Sequence, residues 1–120
     1  MKIIVYNSTY QSALSRKQLE KIKGVLPNEY FEPIQEFHLT TESPGQERFE
    51  YLEKSKQAHF CFQVKQKSAG IVSEAVSELL VGLVRIKGNT RWGYYIPDRE
   101  RIDYQEFLEK WHPKCIAALS

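Results

Sequence analysis

Ile71-Val72-Ser73-Glu74-Ala75-Val76-Ser77-Glu78-Leu79-Leu80-Val81-Gly82-Leu83-Val84-Arg85-Ile86 is the stretch on which the reading of the fold turns. Its apolar residues fall at 71, 72, 75, 76, 79, 80, 83, 84 and 86, the spacing of a helix through about four turns. An apolar wall this wide has to be buried, so the spacing predicts a long central helix. Ser73, Glu74, Ser77 and Glu78 form its polar stripe, and Gly88-Asn89 is expected to stop it.

Upstream, Lys2 to Tyr6 is a β-branched run that reads as a strand. Ser15 and Gln18 make a capping box, Leu14 and Leu19 a hydrophobic staple, and Gly24 is placed to end the helix they begin. Pro33 to Thr40 alternates as a second strand. Residues 46–56 suit either a helix or a strand. Ala58, Phe60, Phe62 and Val64 then alternate with His59, Cys61 and Gln63, and the polar Glu53-Lys54-Ser55-Lys56 favours a β-hairpin joining the two segments. Downstream, Arg91 to Ile96 reads as an aromatic strand or ordered loop. Asp103 and Glu106 make a second capping box for a short last helix that Pro113 should end. The expected fold is α+β over one domain, residues 1–120: a small mixed or antiparallel sheet with a hairpin, packed against the long central helix plus two shorter helices.

Composition is that of an ordinary globular chain, 42% hydrophobic and 27% charged. With 17 basic and 15 acidic residues the net charge is +2, too balanced to imply a polyanionic partner. Met1 to Tyr6 turns polar at Asn7-Ser8-Thr9, unlike a secretory leader, and no apolar run approaches the roughly 20 residues that span a bilayer. The expectation is a cytoplasmic protein without membrane contact, with Cys61 and Cys115 as free thiols.

The order of helix, hairpin and long helix, together with Val76-Ser77-Glu78-Leu79-Leu80-Val81, resembles the small zincin-type metallopeptidases. Their active-site helix carries His-Glu-x-x-His, in which two imidazoles at i and i+4 hold zinc and the glutamate polarises its water. Here Ser77 and Val81 stand at the histidine positions, and Glu78 keeps the glutamate. Serine is a poor zinc ligand and valine is none. The resemblance therefore implies a scaffold that kept its fold and lost its metal, with Ser77, Glu78 and Val81 as a vestigial site.

No complete reactive set stands elsewhere. His59 and Cys61 share a strand face and would need His38, His112 or Cys115 to complete a metal site; a buried thiol beside a surface histidine is the simpler reading. Arg85, Lys87, Arg91, Trp92, Tyr94 and Tyr95 interleave cations with flat rings, the pattern of single-stranded nucleic-acid binding. The competing reading turns the rings into the core and the cations outward. Seven tyrosines, six phenylalanines and two tryptophans put some aromatics near the surface, where they commonly mark protein interfaces. The sequence thus points to a non-catalytic interaction or regulatory module, without cofactor, whose partner is another protein or a second copy of itself. Nucleic-acid binding through residues 85–95 is the alternative.

Overall fold

The computed structural model describes residues 1–6, 11–40, 49–64, 68–87 and 98–120. Four strands form a mixed sheet: β1 (Lys2–Val5), β3 (Glu36–Thr40), β5 (Gln57–Cys61) and β4 (Phe49–Leu52), in that spatial order. β1, β3 and β5 run parallel and β4 antiparallel at the edge. A second, two-stranded pairing joins β2 (Gln11–Ser12) to β6 (Gln63–Val64). Parallel neighbours need a crossover, and α1 (Arg16–Val25) lies in the one between β1 and β3. β3 reaches its parallel neighbour β5 by way of β4, so the expected hairpin, turning at residues 53–56, is also the sheet's edge.

Alternation along each strand sorts the side chains. Phe37, Leu39, Phe49, Ala58 and Phe60 enter one hydrophobic core, with Ile3, Val5 and Tyr51 packed against it. The same core takes Leu19 and Ile22 of α1, six residues between Ala75 and Ile86 of α2 (Ala69–Lys87), and Cys115 of α3 (Asp98–Leu119). All three helices therefore bury against one face of the sheet. α3 contacts both α1 and α2.

Local rules account for most of the element ends. Ser15 accepts from the Gln18 amide at 3.2 Å, and the Gln18 side chain accepts from the Ser15 amide at 2.9 Å, completing the capping box. Leu14 and Leu19 are both fully buried, as a staple requires. Gly24 does not end α1: the helix continues to Val25 and stops at Leu26, whose extended backbone is what a following proline imposes. The strand expected from Pro33 begins only at Glu36, because residues 31–33 continue the turn after a short 3-10 segment at Asn28–Tyr30.

The C-terminal helix departs furthest from expectation. It starts at Asp98, so Asp103 lies inside it and caps nothing, and it runs through Pro113 to Leu119. At 22 residues it is longer than α2, which has 19. A proline inside a helix removes one hydrogen bond and costs about 3 kcal/mol. Beyond it, Cys115 is fully buried and Ile116 and Leu119 pack on the core. Burying such side chains stabilises by about 1.5–3 kcal/mol each, enough to carry the helix onward. The Arg91 to Ile96 segment lies outside the described residues.

Where α2 crosses β4 the approach is close. A Cβ placed on Gly82 would stand 2.7 Å from Cγ and Cδ2 of Phe49. That ring cannot retreat easily, since it meets Phe37 edge-on at 6.0 Å and Phe60 at 5.9 Å. Gly82→Ala is therefore expected to lower unfolding free energy by about 1–3 kcal/mol through overpacking. Adding Phe49→Leu should recover part of that loss in a double-mutant cycle by urea denaturation. Pro113→Ala, which restores a helical hydrogen bond at an exposed position, should raise the urea midpoint, by roughly 1–3 kcal/mol in stability.

Candidate functional site

The vestigial site expected on α2 is structurally occupied. The Ser77 hydroxyl donates to the Ser73 carbonyl at 3.3 Å. His112 Nε2–H donates to the same carbonyl at 2.9 Å and lies 3.2 Å from the Ser73 hydroxyl. Ser73 thus helps to fasten α3 to α2, while the Ser77 bond stays within α2. Glu78 and Val81 are half-buried. Among the described residues, no three His, Cys, Asp or Glu side chains form a group able to hold a metal ion.

Of the basic-aromatic candidates, Arg85 and Lys87 fall within the described residues, at the end of α2. Arg85 is half-buried. Lys87 pairs with Glu29 at 3.3 Å and sits 4.8 Å above the Tyr30 ring, which itself meets Phe107. Arg91, Trp92, Tyr94 and Tyr95 lie outside the described residues. A comparable grouping stands on α3, where Lys110 and Lys114 flank the Trp111 ring at 5.1 and 4.7 Å.

The cysteines divide by depth. Both are free and buried. Cys115 is fully enclosed, and burial pushes its thiol up to about 11, which leaves little thiolate at neutral pH. Cys61 stands opposite Thr40 in the β3–β5 ladder, on the same strand face as His59.

A polar cluster on the sheet brings together residues that sequence reading treated singly. On the face turned away from the helices, β3 presents Glu36, His38 and Thr40, and β5 presents Gln57, His59 and Cys61, in register. Tyr6 continues this face beyond β1, held by its amide to the Leu39 carbonyl at 3.0 Å. Glu50 of β4 stands opposite His59. The His38 and His59 rings stack at 4.2 Å between centroids, 8° from parallel. Each imidazole turns Nε2 toward the residue two places earlier on its own strand: His38 to Glu36 at 3.2 Å and His59 to Gln57 at 3.1 Å. The other nitrogen of His38, Nδ1, lies 2.8 Å from the Tyr6 hydroxyl.

The bonding fixes the tautomers. A carboxylate and an amide oxygen only accept, so Nε2 carries the proton in both rings. His38 Nδ1 is then a lone pair that accepts from the Tyr6 O–H. His38 is 6% exposed and Tyr6 44%, so a buried base holds the hydroxyl of an exposed tyrosine. The repeated acid/amide-x-His pattern, Glu36-Phe37-His38 and Gln57-Ala58-His59, was visible in the sequence. What was missing was the register that sets the two copies side by side.

No protein-family model, no curated protein and no solved structure matches this chain.

Burial holds the His59 imidazole below its usual range, reinforced by the neighbouring His38 and opposed by Glu50 and Glu36. An unfolded histidine titrates near about 6.5, so below that pH the unfolded chain binds more protons at this position than the folded one. The stabilising contribution is complete above about pH 6.5 and is lost as pH falls. Urea midpoints should drop between about pH 6.5 and pH 5, and His59→Gln should flatten that part of the curve.

Proposed function

We propose that this chain is a non-catalytic protein-interaction module that pairs with a second copy of itself along the outer edge of β4. The observation that carries the reading is the strand order: β4 closes the sheet, and among the described residues it pairs with β5 alone. An edge strand offers backbone donors and acceptors to another strand. The opposite edge differs, because the Arg16 guanidinium donates to the Ile3 carbonyl of β1 at 2.9 Å.

Side chains on β4 suit self-pairing. Leu52 is 39% exposed at its end. An antiparallel two-fold pairing centred on Tyr51 sets Tyr51 opposite its own copy and Glu50 opposite Leu52 on the same sheet face, so no like charges face each other. The chemistry on α2 supports a non-catalytic role, since the Ser73 hydroxyl meets His112 of α3 and the Ser77 hydroxyl is bonded within its own helix. On this reading the scaffold is zincin-like with its metal-binding positions replaced at Ser77 and Val81, and it works in the cytoplasm with both thiols reduced. Among the described residues no helix is long and apolar enough to cross a membrane.

Sedimentation equilibrium at micromolar concentration should show a dimer, weakened about tenfold by Leu52→Lys through the lost apolar contact and an edge charge. A monomeric wild type, or a dimer indifferent to Leu52→Lys, overturns the edge pairing. Stoichiometric zinc in the purified protein would remove the lost-metal reading. Salt-sensitive binding of a single-stranded oligonucleotide, weakened by Arg91→Ala and Trp92→Ala, would instead establish the nucleic-acid alternative built on Arg85, Lys87, Arg91, Trp92, Tyr94 and Tyr95.

A further inference from the structure

We propose that Tyr6 is an activated hydroxyl that accepts an acyl group from uncharged, activated acyl donors, with His38 as its general base and Glu36 as the residue that positions the base. The three side chains form a continuous chain of hydrogen bonds. Glu36 Oε1 lies 3.2 Å from His38 Nε2, and His38 Nδ1 lies 2.8 Å from the Tyr6 oxygen. A weak nucleophile gains reactivity from a base within hydrogen-bond reach, provided a third group orients that base. Here each member of that arrangement comes from the sheet itself: Tyr6 beyond β1, and Glu36 and His38 two apart on β3.

Glu36 makes the direction of proton flow unambiguous. It accepts a hydrogen bond from Nε2–H, so the lone pair on Nδ1 is the one aimed at Tyr6. Packing holds the ring in place, with Tyr6 edge-on at 5.6 Å on one side and His59 stacked at 4.2 Å on the other. The base is buried while the tyrosine it serves is 44% exposed, so the nucleophile's side chain lies on the solvent side of its base.

The step balances without a further reagent. The Tyr6 oxygen attacks the acyl carbon, and its proton passes to His38 Nδ1. The bond from acyl carbon to leaving group breaks, the leaving group takes the proton from His38, and Tyr6 is left as an ester. The imidazolium formed on the way lies against Glu36, with Glu50 one strand beyond His59, opposite which it stands. Those carboxylates also set the donor class. The carboxylate hydrogen-bonded to the base is that of Glu36, which repels anionic donors such as phosphoryl compounds and leaves uncharged esters unaffected.

The experiment uses the intact chain and p-nitrophenyl acetate, with acetylation at Tyr6 followed by peptide mass spectrometry. Tyr6 should acetylate about tenfold or more faster than N-acetyltyrosinamide in the same buffer, a modest share of what general-base assistance supplies. The rate should fall in acid, because a general base acts only in its unprotonated form. His38→Gln should remove the advantage, and Glu36→Gln should reduce it while altering the pH profile, a change that a purely structural role for Glu36 would not produce. Should His38→Gln fail to fold, the wild-type pH profile and Glu36→Gln still decide. A Tyr6 rate no greater than that of the free amide, or one that does not change between about pH 5 and pH 8, overturns the proposal.

Discussion

Phe49 is the side chain on which the two layers of the molecule meet. It belongs to the edge strand β4, yet its ring lies among Phe60 of the neighbouring β5 and Phe37 of β3 beyond it. On its other side is Gly82 of α2, at a separation that leaves no space for a Cβ. A helix normally stands about 10 Å from a sheet because side chains keep them apart. Removing one side chain from α2 lets an aromatic ring fill the gap, and the long helix is thereby seated over β4. The remaining helices follow, since α3 lies against α2 and α1 against α3.

With every helix on one face, the alternate residues of β3 and β5 are left to make their own environment. Elsewhere in such a sheet they would be polar groups turned to water. Here they are buried or half-buried, and each finds a partner within the face: His38 between Tyr6, Glu36 and His59, and His59 beside Gln57. Buried polar groups are stable when hydrogen-bonded and costly when not, so the network is as much a condition of the fold as a feature of its surface. The same condition produces its chemistry. A tautomer fixed by Glu36 gives His38 one directed lone pair, and the strand geometry directs it at the hydroxyl of Tyr6.

The α3 helix shows tertiary packing overruling local preference. Pro113 is a helix breaker by every local criterion, and Gly24 is by the same criteria a natural helix end. Neither acts as one. The chain beyond Pro113 carries Cys115, Ile116 and Leu119 into the core, and α1 passes Gly24 to be ended at Leu26 by the proline that follows. His112, adjacent to Pro113, binds the Ser73 carbonyl, so the hydroxyl-bearing stripe of α2 that looked like a relic of chemistry is also the seam between two helices.

Periodicity and capping determined a good deal alone. The α2 wall, the Ser15–Gln18 capping box, the strand at Lys2 and the hairpin around residues 53–56 are each encoded within a few residues, because a hydrogen-bonded turn or an amphipathic face is satisfied by neighbours in sequence. The α+β class followed from these. The strand order, the parallel pairing of β1, β3 and β5, and the length of α3 were not legible, because they depend on contacts between residues far apart in the chain. The candidate site divides along the same line. Glu36, His38, His59 and Tyr6 were all readable as residue types, but only parallel register stacks His38 against His59, and only the tertiary fold joins Tyr6, His38 and Glu36 into one hydrogen-bonded unit.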